Sequence, residues 1–346
     1  MVGPAEESSM QRQLVFLIAA PRSGSTLLLR MLGSHRAIYS PPEPHLVTPL
    51  ASLGFYDMVE KAPYDPIISQ RGVREVVAEL PRGEADYLDA LRAYTDTIYR
   101  RLLEPTNYTL LVDKTPAYAL VLDFLARLYP DARYIVLTRN PLAIWSSFVE
   151  SFFDGDQEAA HQHNPLMERY VPAIARFLRE KPVALHHIRY EELVQVPEKE
   201  MQKLCNFLSI DYDASMVNYG ERAENRLETT RGLGDPITVA KQKRPTTHSL
   251  ARWAEDMSGE PGKVERANQV LATLQDGDLA SWGFNRQQLQ QQLDAVPVEG
   301  ARKKGRGLSR YTLERKLLVV MRRNIHHNAF GRLVRSVRNF CNVLLR

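Results

Sequence analysis

The chain has 346 residues, 44% hydrophobic and 25% charged, the composition of a globular protein with ample length for a buried core. No apolar run approaches the length of a membrane span, the polar stretch Met1–Gln13 leads into no signal segment, and two cysteines (Cys205 and Cys341) exclude a disulfide framework, so a cytoplasmic protein is expected. The net charge of +4 divides unevenly: residues 301–346 carry 13 Lys/Arg against one acid, Glu314, and the rest of the chain is net −8.

In chain order, Leu14 to Ala20 reads as a buried strand, broken by Pro21-Arg22-Ser23-Gly24-Ser25-Thr26, and Leu27 to Leu32 continues as a packed helix. A strand, a small-residue turn and a helix start aim several backbone N–H groups at one point and favour an anion there. Gly24 permits close backbone approach, Arg22 adds a permanent charge, and Ser25 and Thr26 add hydroxyls. No Gly-Lys-Ser/Thr follows Gly24, so the loop does not specify ATP or GTP.

The stretch Ala37-Ile38-Tyr39-Ser40-Pro41-Pro42-Glu43-Pro44-His45 reads as an extended turn fixed by its prolines, with mainly helical stretches over 45–60 and 72–103. Three more apolar strands are expected at 108–112, 133–138 and 183–188. They end in Asp113-Lys114-Thr115-Pro116, in Arg139-Asn140-Pro141 and in Arg189-Tyr190-Glu191-Glu192-Leu193, and helices follow through 117–128 and to Glu150. The expected fold is α/β, P-loop-like and three-layered, with a central mostly parallel sheet flanked by helices. Every polar motif then falls at a C-terminal strand end, where such sheets bind ligands.

Residues 221–247 lose periodicity and read as a long loop. Short helices over 249–257, 263–273 and 285–293 close a domain spanning 12–295, followed by a linker (296–307) and a basic amphipathic helical tail (308–346). The tail has three readings: a cap on the acidic body, peripheral attachment to an anionic membrane surface, or docking of an acidic carrier protein. Nucleic acid is disfavoured, because no recognition module accompanies the charge.

These motifs together resemble sulfotransferases that use 3′-phosphoadenosine 5′-phosphosulfate (PAPS), over roughly residues 14–260. The resemblance implies that Arg22, Ser23, Gly24, Ser25 and Thr26 bind the 5′-phosphosulfate, and that Arg139 and Ser147 bind the 3′-phosphate. It also implies that Tyr190 contacts the adenine. Arg231-Gly232-Leu233-Gly234-Asp235-Pro236 is similar to a shortened form of a later cofactor loop, which brings in Arg231, Gly232 and, beyond it, Lys243. Lys114 matches the lysine placed near the bridging oxygen, and no metal is required.

Small-molecule members of the family keep a histidine base two residues after that lysine; here Pro116 stands there. Glu43 resembles the catalytic glutamate of tyrosylprotein sulfotransferases, with His45 and His248 ranked behind it as bases. The motifs around Glu43, Lys114 and Gly234 most resemble sulfotransferase domains of bacterial polyketide and olefin synthases, which implies a hydroxylated small-molecule or acyl-carrier-bound acceptor. Two rivals remain: a nucleotide-dependent kinase, with Asp113 as the magnesium carboxylate, and a non-catalytic docking protein.

Overall fold

The computed structural model describes residues 10–41, 43–57, 65–153, 155–220 and 242–298, together with Leu333 and Val337. Its centre is β1 (Leu14–Ala19), buried along its whole length. Side chains alternate across the strand, so β1 supplies two cores at once. Leu14, Phe16 and Ile18 face one core, where Phe16 packs against Tyr129 and Tyr134 at ring distances of 5.3 and 5.4 Å. Val15, Leu17 and Ala19 face the other, against Leu28, Leu32, Met201 and Leu204.

The remaining strands are β2 (Ile38–Tyr39), β3 (Leu110–Asp113), β4 (Arg133–Thr138) and β5 (Leu185–Arg189). All pair in parallel, in the order β2-β3-β1-β4-β5. The chain therefore runs from β1 to the β2 edge, fills the gap with β3, and then builds outward on the other side of β1 through β4 and β5. The sheet's switch point lies at the C-terminal end of β1. The helix that follows β1, α1 (Ser25–Gly33), starts there.

Three stretches differ from the sequence expectation. Ile38–Tyr39, read as part of an extended turn, is a two-residue edge strand held by pairing with β3. The helix expected over 117–128 is broken into a 3-10 turn (Pro116–Leu120) and a helix (Leu122–Leu128), because Tyr118 is held by its hydroxyl to Asp113. Over 45–57 only Thr48–Ala51 is helical, and Gly54 at φ +102° turns the chain away. A helix not anticipated, Leu166–Glu180, buries Leu166, Met167, Tyr170, Val171, Ile174, Phe177 and Leu178 on one face.

The loop 221–241, with Arg231 and Gly232, lies outside the described residues, as does the tail apart from exposed Leu333 and Val337. Among the described residues no helix is long and apolar enough to cross a membrane. Cys205 is fully buried in the second core with its sulfur 3.5 Å from that of Met216, and burial pushes its thiol up to about 11.

Candidate active site

The turn after β1 is tightly specified. Ser23 is buried and donates from Oγ to the carbonyl of Ala20 at 2.5 Å. Arg22 (φ +69°) and Gly24 (φ +91°) both occupy the left-handed region, which reverses the chain and opens α1. A Cβ on Gly24 would lie 2.4 Å from Cδ2 of Tyr190, so only glycine fits beneath that ring. Among the described residues no side chain caps α1, whose first N–H groups, having no partner within the helix, lie at the switch point. Ser25 is buried and Thr26 half-buried at this end.

Arg22 reaches across to the helix Pro141–Phe153. It donates from Nε to Ser147 Oγ at 3.1 Å and from Nη2 to Ser151 Oγ at 3.0 Å, and its guanidinium lies 5.6 Å from the Phe152 ring centre. Ser151 was not anticipated; its signal is the i+4 spacing from Ser147, which puts both hydroxyls on one helix face.

Arg139, just past β4, is buried and stacked 4.4 Å over the Tyr190 ring. Its Nη1 donates to the carbonyl of Arg22 at 3.0 Å, and its Nη2 to the carbonyl of Ser249 at 2.9 Å. Its Nε has no partner among the described residues. Burial pushes this guanidinium below its ordinary range; Tyr190 and Glu191 offset that, and the cations Arg22 and Arg252 add to it. A buried cation with a spare donor and two cations nearby is stabilised by an incoming anion. Tyr190 and Glu191 start the helix that follows β5, and Glu191 accepts from the Asn140 backbone N–H at 2.9 Å, clamping the β4 and β5 ends together.

On the other side of the β1 turn, Lys114 follows β3. It is buried and its Nζ donates to Glu43 Oε1. His45 Nε2 lies 3.6 Å from Glu43 Oε2, so Glu43, Lys114 and His45 form one cluster. His248 is not in it. It is exposed on the turn Thr247–Ser249, which packs beside Arg139 through Ser249 and against the helix Tyr190–Gln195. Lys243 is also exposed; its backbone carbonyl accepts from Gly220 N–H at 3.0 Å.

Asp113, the carboxylate a kinase would have needed for magnesium, is fully buried and accepts three hydroxyls. Tyr99 and Tyr118 donate to Oδ2 at 2.7 and 2.9 Å, and Thr115 donates to Oδ1 at 3.3 Å. Burial raises this carboxyl to about 6 against the lowering effect of the three hydroxyls.

An all-parallel sheet whose switch point carries an uncapped helix start, a buried arginine and a buried lysine–glutamate pair defines a class: an α/β protein built around an anionic ligand. The model of the Sulfotransferase family matches residues 14–214, and the chain belongs to that family. The chain is 28% identical over 305 residues to the nodulation protein NoeE of Sinorhizobium fredii, covering 83% of this chain and 69% of that protein. It is 23% identical over 284 residues to protein-tyrosine sulfotransferase 1 of Danio rerio, covering 79% and 72%. The solved sulfotransferase domain from the curacin biosynthetic pathway superposes with a TM-score of 0.51 at 25% identity, over 75% of this chain and 96% of that domain.

Proposed function

We propose that this sulfotransferase moves the sulfuryl group of PAPS to a hydroxyl of a small or carrier-tethered acceptor, releasing 3′-phosphoadenosine 5′-phosphate. The observation that carries this is the arrangement across β1: the Glu43–Lys114 pair lies on one side of an uncapped helix start and buried Arg139 on the other. A ligand with two separated anionic groups suits two separated cationic sites.

The residues present fit that ligand. The N–H groups and hydroxyls of Ser23–Thr26, with Arg22, would hold the 5′ end, and Arg139 with its spare Nε, together with Ser147, the 3′-phosphate. Tyr190, seated on Gly24, would face the base, and Lys243, with Arg231 and Gly232, would approach the phosphates. PAPS supplies an electrophilic sulfur whose bond to the bridging phosphate oxygen breaks as a bond to the acceptor oxygen forms. Glu43 takes the hydroxyl proton, and Lys114 offsets charge on the departing phosphate oxygen. His248, on the Arg139 side, ranks behind Glu43 as a candidate base.

The curacin-pathway domain supports a biosynthetic acceptor; relatives named protein-tyrosine sulfotransferases support tyrosine as the second reading. A cytoplasmic site, and attachment of residues 308–346 to anionic lipid or an acidic carrier, belong to the same proposal.

The experiment is thermal stabilisation by 3′-phosphoadenosine 5′-phosphate against ATP with magnesium, followed by PAPS turnover on a 3-hydroxyacyl pantetheine thioester and a tyrosine peptide. A ligand at 100 times its Kd stabilises by about 2.7 kcal/mol. Stabilisation by ATP with magnesium alone would overturn the donor assignment, and turnover of the peptide alone would overturn the acceptor.

A further inference from the structure

Asp113 is a buried charged group that the mechanism above leaves unused. A carboxylate is a pure acceptor, so each hydroxyl that bonds it must turn its proton inward. Thr115 and Tyr118 do so. Their lone pairs are thereby left facing the other way, and each receives a backbone N–H from the segment that carries Glu43. His45 N–H donates to Thr115 Oγ1 at 3.3 Å, and Val47 N–H donates to Tyr118 Oη at 3.2 Å.

Between Glu43 and these two anchors the chain makes one sharp turn, with His45 at φ +52°, an unfavourable conformation for a histidine that needs outside support. The two hydroxyls provide that support two and four residues past Glu43. Tyr99 donates to the same carboxylate, but no hydrogen bond links it to 43–47 among the described residues.

The geometry points to Asp113 as a positioning residue: by setting the direction of the Thr115 and Tyr118 hydroxyls it fastens His45 and Val47 and so holds Glu43 against Lys114. This rests on Glu43 acting as the base. Asparagine at 113 would present an amide donor to hydroxyls that are already accepting from the backbone, and the relay would lose its direction.

The test compares T115V, Y118F, D113N and, as a control, Y99F in the full chain. Three quantities are measured: hydrogen–deuterium exchange over residues 43–47, affinity for 3′-phosphoadenosine 5′-phosphate, and kcat on whichever of the two acceptors above turns over. T115V, Y118F and D113N are expected to speed exchange at the His45 and Val47 amides and to lower kcat by roughly 10²-fold, leaving nucleotide affinity within about twofold. Y99F is expected to keep wild-type exchange over this segment and most of its kcat.

A readout that mere loss of packing would not reproduce is the background dependence. In E43Q, adding T115V is expected to lower kcat no further, because the network acts through Glu43. Additive losses, or Y99F matching Y118F in exchange and kcat, would overturn the inference. Failure of the donor assignment shows separately, as absence of nucleotide binding in the wild type. E43Q turning over at the wild-type rate would overturn the base assignment and this inference together, even with faster exchange in T115V.

Discussion

Arg139 donates from Nη1 to the carbonyl of Arg22 at 3.0 Å, so the buried cation at the end of β4 supports the turn that follows β1. Its other terminal nitrogen holds Ser249 while the guanidinium plane lies on Tyr190. Lysine offers one point charge and cannot hold two divergent carbonyls while stacking on a ring. R139K is therefore expected to weaken binding of 3′-phosphoadenosine 5′-phosphate by roughly 10- to 100-fold, the worth of one or two charge-assisted bonds. Calorimetric titration of R139K measures this, and affinity within a factor of two of wild type would refute it.

Gly24 joins the same assembly from below. Its φ of +91° and the 2.4 Å gap to Tyr190 Cδ2 leave no room for a Cβ. G24A must push the Tyr190 ring, and with it Arg139, out of place. Strain of this kind costs about 1–3 kcal/mol, so the thermal midpoint should fall and the stabilisation by nucleotide should shrink with it. A G24A protein with wild-type midpoint and wild-type nucleotide response would show that the ring can move freely.

How much of this was legible in the sequence follows from the range of each interaction. The turn 21–26 and the strand-end motifs at 113, 139 and 190 are local signals, an apolar run stopped by small or charged residues, and the structure puts all of them on one sheet edge. β2 was not legible, since two residues become a strand only by pairing with β3, some 70 residues later. Nor was the environment of Asp113, whose tyrosine partners lie 14 residues before it and 5 after it on separate segments. The contact between Arg22 and Ser151 spans 129 residues and leaves no local trace except the spacing of two serines.

Those two serines make a graded test. Each accepts one bond from Arg22, at 3.1 and 3.0 Å. Removing Ser151 by S151A loses a single half-buried bond, worth about 0.5–1.5 kcal/mol. The KM for PAPS should rise by a few-fold with kcat little changed, since Arg22 would keep Ser147. A kcat loss as large as that of E43Q would mean that Ser151 touches the reacting groups.

His187 on β5 bears on stability in acid. Burial pushes its imidazole down to about 4 from 6.5, with Arg189 and His186 adding to the shift, and its Nε2 lies 2.8 Å from Thr138 Oγ1. Between those two values the unfolded chain binds a proton that the folded chain refuses. Stability is therefore unaffected by this group above pH 6.5 and is lost as pH falls toward 4, by up to about 3 kcal/mol. Urea unfolding at pH 7.5 and 4.5 should show a larger loss for the wild type than for H187Q, which keeps a hydrogen-bonding side chain but does not titrate. Equal losses would place the acid-sensitive group elsewhere.

The Glu43–Lys114 pair carries a less intuitive consequence. In the structure each charge neutralises the other, so Lys114 is engaged by Glu43 before any donor arrives. On the proposed mechanism, an incoming anionic donor competes for Lys114 and leaves Glu43 to face the acceptor hydroxyl. E43Q removes that competitor, leaving Lys114 buried with a neutral neighbour and more available to the donor. Binding and turnover should thus move in opposite directions: E43Q is expected to bind 3′-phosphoadenosine 5′-phosphosulfate several-fold more tightly while losing roughly 10²- to 10⁴-fold in kcat. Lys114→Ala should weaken binding and lower kcat together. Equilibrium titration beside single-turnover rates separates the two effects, and weaker donor binding in E43Q would show that Glu43 organises the site rather than restraining its lysine.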